Sequence, residues 1–167
     1  TATATATSSA TATATHHLLP PSPLQLNPKA GERVLEIGCG WGATAVRIAE
    51  TTGASVVGIT LSREQLREGL RRAEAAGVAH LVSLEYCDYR NVVKEHGTFD
   101  KVISIEMLEA VGHEHLPSFF QTVSAALKPG GVAAVQVITR CPSPSPPFRR
   151  AAVPDILWKA PRRRRRR

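Results

Sequence analysis

Apolar and polar residues form alternating blocks through the middle of the chain, and the blocks predict alternating strands and helices. Apolar Val34, Leu35 and Ile37 predict a short buried strand, which stops at a run of glycines. Residues 43–52 then carry apolar side chains at helical spacing, at Ala45, Val46, Ile48 and Ala49. The same patterns predict further strands over 55–59, 81–86, 101–105 and 132–138, and helices over 63–76 and 116–127.

Cap and turn residues set the predicted boundaries. Gly53 and Gly77 stand where the first two helices should end. Ser62, with Gln65 three residues on, predicts a capping box at the start of the second helix. Residues 128–131 read Lys-Pro-Gly-Gly and predict a turn before the fifth strand. The inner face of the last helix is predicted to carry Phe119, Phe120 and Val123.

This order of elements predicts an α/β fold, a Rossmann-like doubly wound parallel sheet of about five strands. In such a sheet ligands bind at the carboxyl ends of the strands, near the point where the strand order reverses. Four segments with reactive or polar side chains each follow a predicted strand: 36–42, 60–65, 88–89 and 106–112. We therefore expect them to form one site.

The glycines after the first strand indicate a nucleotide-like ligand. Gly38, Gly40 and Ala43 satisfy the loose pattern G-x-G-x-x-G/A. A dinucleotide site would add an acid about 20 residues further on, but residues 58–61 read Gly-Ile-Thr-Leu. The acid is Glu36 instead, before the first glycine, where it suits a cationic ligand such as S-adenosylmethionine (SAM). A glycine turn that only packs helix on strand is the alternative.

The net charge of +7 belongs mainly to one end of the chain. Residues 162–167 are six arginines, whereas residues 29–140 contain 12 Lys and Arg against 13 Asp and Glu, a difference of −1. The central region therefore has no basic footprint for nucleic acid, which is not an expected partner. Contact of the arginine run with nucleic acid or anionic lipid is the alternative.

The composition divides the chain into three parts. Residues 29–140 form the predicted domain, between a Thr/Ala- and Pro-rich segment at 1–28 and a Pro/Ser/Arg-rich segment at 141–167, both expected to be disordered. We expect a cytoplasmic protein, peripheral to a membrane at most, because no apolar run approaches about 18 residues. Hydroxyl-rich residues 1–15 leave plastid targeting as an alternative.

No metal is expected. The three cysteines lack Cys-x-x-Cys spacing, which is typical of a reduced compartment and argues against a zinc site. Cys39 and Cys87 are interpreted as small packing residues. A metal cluster at Glu106, His113, Glu114 and His115 is the disfavoured alternative.

Five segments resemble the cyclopropane-fatty-acid synthase family of SAM-dependent methyltransferases, which includes the mycolic acid cyclopropane synthases. They are VLEIGCGWG (34–42), GITLSREQ (58–65), CDYR (87–90), FDKVISIEMLEAVG (99–112) and LKPGG (127–131). The form of residues 106–114 is similar to the plant and algal branch. The resemblance covers roughly residues 29–139.

The resemblance implies a SAM site formed by three of these segments. The implied cofactor-binding residues are Glu36, Gly38, Cys39, Gly40, Trp41 and Gly42 at the methionine end, Thr60, Leu61, Ser62 and Gln65 at the ribose, and Asp88 and Tyr89 at the adenine.

The resemblance also implies the chemistry, the transfer of a methylene group from SAM to the cis double bond of a phospholipid acyl chain at a membrane surface. Attack by the alkene on the sulfonium methyl gives a carbocation, and a base must then remove a proton so that the ring can close. Glu109 stands where the family holds bicarbonate, Ile138 where a backbone group contacts it, and Gln136 where bacterial members have a histidine. The alternative is that Glu109 is only an acid at the start of a helix, where it interacts favourably with the helix dipole.

Two parts of the family pattern have no counterpart. These are the helices before the first strand and, after the fifth strand, the last two strands with the acyl-binding region. This departure predicts a truncated member whose fifth strand is an exposed edge, with weak or no cyclopropanation. A catalytically impaired SAM-binding fragment and a methyltransferase for another small acceptor are the alternatives.

Overall fold

A computed structural model describes residues 26–138 and the backbone of a short strand near the C-terminus. Predictions for residues 1–25 and for the remainder of the C-terminal segment lie outside the described residues. The strands are β1 (Arg33–Ile37), β2 (Ser55–Thr60), β3 (Val82–Tyr86), β4 (Phe99–Ile105), β5 (Leu127–Gln136) and β6 (Ile156–Lys159). The helices are α1 (Ala43–Thr52), α2 (Arg63–Ala75), α3 (Val92–His96) and α4 (Leu116–Ala126).

The strands form one sheet in the order β3-β2-β1-β4-β5-β6, in which the first five are parallel. This confirms the predicted Rossmann-like sheet. β1 lies at the centre, and its last residue Ile37 is paired with Ile59 of β2 on one side and Ser104 of β4 on the other. The strand order reverses at β1 and β4, so a cleft can open there.

β6 corrects two predictions about the C-terminal segment. It runs antiparallel to β5, with Val135 opposite Ile156 and Val132 opposite Lys159. The expectation that residues 141–167 are disordered is therefore wrong for these four residues. The prediction that the fifth strand is an exposed edge is wrong as well, because β6 pairs with it. The prediction of disorder followed the Pro, Ser and Arg content of the whole segment and overlooked the short apolar run at Ile156–Lys159.

The core lies on both faces of the sheet because successive side chains of a strand point to opposite sides. Val34 packs with Ile48 of α1 in one buried cluster. Leu35 and Ile37 pack with Phe119 of α4 in the other. This arrangement puts Glu36 on the same face as Val34, beneath α1.

The Lys-Pro-Gly-Gly segment departs from the predicted turn. Leu127 already pairs with Phe99, and the next pair along β5 joins Val132 to Lys101, with a register irregularity between them. Residues 128–131 therefore form a bulge within β5. Lys128 closes it through an ion pair with Asp100, 2.8 Å between Nζ and Oδ2.

Phe120 was wrongly predicted to lie on the inner face of α4. Phe119 and Val123 are buried there, but the side chain of Phe120 is 39% exposed. Phe119 also contacts the ring of Tyr89 edge to face, with centroids 5.4 Å apart. Phe119 thus links α4 to the segment that follows β3.

The contrast between these two neighbours is testable. We expect Phe119→Ala to lower the free energy of unfolding by about 3–5 kcal/mol, because it leaves a cavity in a sealed core. Phe120→Ala should cost about 1 kcal/mol or less. Urea denaturation followed by circular dichroism measures both. Equal losses in the two variants would contradict the assignment of the inner face.

Candidate functional site

A cavity of about 420 Å³ opens at the carboxyl ends of β1, β2 and β4, where the strand order reverses. Its wall combines bare glycine backbone, apolar strand ends and a few polar side chains. The lining residues are Ile37, Gly38, Gly40, Ile59, Thr60, Leu61, Gln65, Cys87, Tyr89, Ile105, Glu106, Met107 and Ala110. Its size and mixed lining suit a nucleoside-sized ligand.

The glycine turn after β1 is held against the end of β2. The amides of Gly38 and Cys39 both donate to the carbonyl of Ile59, at 3.0 and 2.9 Å. Gly38 has φ +79°, and a Cβ placed on it would lie 2.7 Å from Cγ of Met107. Only glycine can therefore bring the backbone this close to the segment after β4.

Polar groups after β2 form a connected set at the cavity wall. The Thr60 hydroxyl donates to Oε1 of Gln65 at 2.9 Å and accepts from the Ser62 amide at 3.2 Å. The Ser62 hydroxyl accepts from the Gln65 amide at 3.3 Å, which confirms Ser62 as the cap of α2. Because the Gln65 side chain bonds Thr60, the reciprocal bond of the predicted capping box is not made.

The segment after β3 contributes one aromatic wall. Tyr89 and Cys87 line the cavity, whereas Asp88 does not. The carboxylate of Asp88 accepts hydrogen bonds from the amide and from Nε of Arg90, each at 2.9 Å. The side-chain bond to Arg90 holds the pKa of Asp88 below its usual value. Asp88 therefore caps the short helical turn that carries Tyr89.

Glu106 is the acid that the described chain places in the cavity wall. It follows β4 directly and has φ +52°, a left-handed conformation that is uncommon for a residue other than glycine. Its amide donates to the carbonyl of Gln136 at 3.0 Å, which fastens it to the end of β5. Backbone strain of this kind concentrates at functional sites.

Glu36 lies beneath the glycine turn and does not line the cavity. Its side chain is 2% exposed, and its buried Oε2 has no hydrogen-bond partner among the described residues. Burial raises the pKa of Glu36 to about 8, against smaller opposing effects of the Thr44 hydroxyl and the Ala45 amide. A buried carboxyl with an unpartnered oxygen is suited to a cationic group brought close to the turn.

The two described thiols are not activated. Burial is the main cause that raises the pKa of Cys39 to about 12, and the pKa of Cys87 to about 12 as well. A thiol that stays protonated is a poor nucleophile and a poor metal ligand. This agrees with the interpretation of both cysteines as packing residues.

The three residues predicted to be catalytic lie at or beside the end of β5. Oε1 of Glu109 accepts a hydrogen bond from the Ile138 amide, with 2.6 Å between oxygen and nitrogen. Gln136 is buried and bonds Glu106 through its backbone, while the Ile138 side chain is 60% exposed. None of the three is part of the cavity lining.

The structure thus brings together six predicted cofactor-binding residues, namely Gly38, Gly40, Thr60, Leu61, Gln65 and Tyr89. The other six do not line the cavity: Glu36, Cys39, Trp41, Gly42, Ser62 and Asp88. Ile37, Glu106, Met107 and Ala110 also line the cavity; they lie in segments expected to form the site, although none was named as a site residue. Sequence reasoning missed Ile59, Cys87 and Ile105 as lining residues. The signal that could have found these three is position, since Ile59 and Ile105 lie within the last two residues of β2 and β4 and Cys87 directly follows β3.

None of the helices in the described part of the chain combines the length and apolar character needed to cross a bilayer.

Comparison with known proteins gives a consistent result. A family profile described as mycolic acid cyclopropane synthetase matches residues 11–155. The tuberculostearic acid methyltransferase UfaA1 of Mycobacterium tuberculosis is 45% identical over 109 residues, which are 65% of this chain and 25% of that protein. The cyclopropane-fatty-acyl-phospholipid synthase of Escherichia coli is 39% identical over 115 residues, 69% of this chain and 28% of that protein. The chain thus spans about a quarter of the length of these relatives.

Solved structures show the same fold. A SAM-dependent methyltransferase from Thiobacillus denitrificans, in complex with S-adenosylhomocysteine, superposes with a TM-score of 0.61 at 27% identity. The match covers 73% of this chain and 51% of that one.

The buried carboxyl of Glu36 predicts a pH-dependent stability. Its folded pKa of about 8 lies above the usual value of 4.5, so the folded state holds a proton that the unfolded state releases. The stabilisation from this proton is complete below about pH 4.5 and is lost as the pH rises to about 8. Glu36→Gln has nearly the same shape but does not titrate. Over this pH range the free energy of unfolding of wild type should therefore fall by on the order of a few kcal/mol relative to that of the variant.

Urea denaturation of both proteins at a series of pH values measures this difference. A difference in free energy of unfolding that does not change between pH 4.5 and 8 would show that Glu36 is ionised in the folded chain.

Proposed function

Because the chain belongs to the mycolic acid cyclopropane synthetase family, we propose that it binds SAM in the cavity at the switch point and acts as a SAM-dependent methyltransferase on lipid acyl chains. We assign the SAM-binding domain to residues 29–140. The observation that carries the proposal is the cavity wall itself, where Gly38 and Gly40 face Thr60 and Gln65 across the ends of β1 and β2.

The choice of SAM over a dinucleotide follows from the polar groups. A dinucleotide site has an acid at the end of the second strand, which holds the ribose. Here that place has Thr60, whose hydroxyl is already oriented by Gln65. A threonine and a glutamine can bond ribose hydroxyls without adding charge. The acids lie instead near the glycine turn, where the ammonium group of SAM would need them.

The residues present fit SAM in both shape and charge. Gly38 and Gly40 leave room beside the turn for the methionine part, near Glu106 in the wall and Glu36 beneath it. Thr60, Leu61 and Gln65 would hold the ribose. Tyr89 and apolar Ile59 would enclose the adenine. SAM supplies an electrophilic methyl group on a sulfonium, which an electron-rich alkene can attack.

The Glu109–Ile138 contact supports the acyl-chain acceptor. Ring formation needs a base near the reacting carbons, and a carboxylate that is held in place can orient such a base. Glu109 is held by the Ile138 amide at 2.6 Å. We propose that this pair takes up bicarbonate, with Gln136 supporting the segment from the end of β5. Trp41, Leu61 and Ile138 follow the carboxyl ends of β1, β2 and β5 and are exposed, which gives this edge of the sheet the apolar character that an acyl chain requires.

Two other functions compete with this one. A SAM-dependent methyltransferase for another small acceptor would use the same cavity with a different product. A SAM-binding domain without catalytic activity would bind the cofactor and transfer nothing. The names of the relatives favour a lipid acceptor, since they include a tuberculostearic acid methyltransferase and a cyclopropane-fatty-acyl-phospholipid synthase.

Cofactor binding is tested by calorimetric titration with S-adenosylhomocysteine. Gly40 and Gly77 form a matched pair, because both have positive φ and no heavy atom of the described residues lies within 4 Å of a Cβ added to either. Gly40 lines the cavity, whereas Gly77 follows α2. We expect saturable binding by wild type and by Gly77→Val, and none by Gly40→Val.

Both variants carry similar backbone strain, so circular dichroism should show similar losses of stability. Equal binding by all three folded proteins would place the ligand elsewhere. Binding lost equally in both variants would mean that backbone strain, and not the cavity wall, causes the loss. NADH serves as the negative ligand.

The acceptor is tested with SAM labelled in its methyl group and vesicles of a monounsaturated phospholipid. We expect label in the acyl chains, at the weak level predicted from the sequence, identified by mass spectrometry of the released fatty acids. Glu109→Gln should lower incorporation by about 10²-fold or more while leaving S-adenosylhomocysteine binding unchanged, because Glu109 lies outside the cavity wall.

Label found only in another added acceptor would support the second function. Cofactor binding with no transfer to any acceptor would support the third. Unchanged incorporation in Glu109→Gln would remove Glu109 from the mechanism.

A further inference from the structure

Three metal-ligating side chains meet outside the cofactor cavity, on the α3 side of the sheet edge. They are Glu85 of β3 with Glu95 and His96 of α3, and their ligand atoms all lie within 4.8 Å of one another. We propose that these three residues form a site for a divalent transition-metal ion such as Zn²⁺, which joins β3 to α3. None of the three lines the cavity.

The imidazole of His96 gives the main geometric argument. Nε2 lies 3.1 Å from Oε2 of Glu85. The same nitrogen is inaccessible to solvent and has no properly directed hydrogen bond among the described residues. A buried nitrogen and a carboxylate oxygen this close are suited to share a cation, which is either a proton on the imidazole or a metal ion. Two ligand atoms, each 2.0–2.1 Å from a tetrahedral Zn²⁺, lie roughly 3.3 Å apart, which matches this spacing.

The two carboxylates are already oriented by other groups. The Ser83 hydroxyl donates to Oε1 of Glu85 at 3.0 Å, which leaves Oε2 directed at His96. The Cys87 thiol donates to Oε2 of Glu95 at 3.2 Å. Partners that orient the ligands in this way are a usual feature of metal sites.

The backbone next to the third ligand is also held. The guanidinium of Arg33 donates to the carbonyls of His96 and Thr98, at 3.2 and 3.1 Å. This fixes the end of α3 against the start of β1. The position of His96 is therefore set by contacts that do not involve its imidazole.

The donor set selects the kind of ion. One imidazole with two carboxylates suits Zn²⁺, whereas Mg²⁺ and Ca²⁺ prefer oxygen ligands throughout. Three protein ligands leave a fourth position to water. The sequence alone does not indicate this site, because Glu85 is ten residues away from Glu95. Only the packing of β3 beside α3 brings the two side chains together.

The ion would have a structural effect. α3 has only five residues and is too short to be stable by its own hydrogen bonds. A metal bridge from β3 to α3 would hold the chain between them, which includes the cavity residues Cys87 and Tyr89. Metal binding should therefore raise the midpoint of thermal unfolding without any cofactor present.

The test is a calorimetric titration of the full chain with ZnCl₂ after treatment with a chelator. We expect one saturable site, weakened about tenfold or more in His96→Gln and in Glu85→Gln. His80→Gln is the matched control, since His80 is an exposed histidine that is not one of the three proposed ligands, and the variant should bind as wild type does. MgCl₂ should give no saturable heat.

Thermal unfolding gives a second measurement that separates binding from misfolding. With chelator present, His96→Gln should unfold close to wild type, and only wild type and His80→Gln should be stabilised by ZnCl₂. Binding that is equal in wild type, His96→Gln and Glu85→Gln would overturn the proposal. Absence of a saturable site in wild type would also overturn it and would leave His96 and Glu85 as an ordinary ion pair.

Discussion

The close approach of backbone to backbone around the glycine turn is the constraint on which the site depends. A Cβ on Gly42 would lie 2.9 Å from Cα of Gly69, so α1 and α2 touch where both lack a side chain. A Cβ on Gly58 would lie 2.6 Å from Cδ2 of Leu84. These contacts let the first turn of α1 settle onto β2 and β3. These close contacts leave no gap beneath the turn at 38–42, and the other side of the turn faces the open cavity.

The electrostatics of the site follow from this packing. Close packing under the turn excludes water from Glu36 and so raises its pKa to about 8. Glu106, at the cavity wall, is exposed and has a strained backbone instead. The two acids therefore lie in different environments at one end of the cavity. A cation bound there would meet one carboxylate at the surface and would favour ionisation of the other beneath it.

Much of the fold could be predicted from the sequence, because its signals are local. The run from Val34 to Ala43 contains a buried strand, a turn and the first residue of a helix, and the structure confirms all three. Ser62 and Gly53 mark helix ends by their own chemistry. The predicted parallel sheet of about five strands needed only the alternation of strands and helices.

The remaining features depend on contacts between distant residues. Phe120 has the same apolar character as Phe119, and only the direction of α4 decides which of them is buried. The pairing of β6 with β5 joins residues separated by more than 20 positions. Glu36 was expected to face the ligand, but alternation along β1 turns its side chain towards α1. Glu106 enters the cavity wall through a left-handed backbone conformation. A glycine would have indicated this conformation in the sequence, but a glutamate does not.

The central claim is that the ligand lies on the glycine turn between β1, β2 and β4. Nuclear magnetic resonance of ¹⁵N-labelled protein during titration with S-adenosylhomocysteine tests it directly. The account predicts that the largest amide shifts occur at Gly38, Gly40, Leu61, Tyr89 and Met107, with little change at Gly77. Shifts concentrated away from these residues, or no shifts in a folded protein, would contradict it.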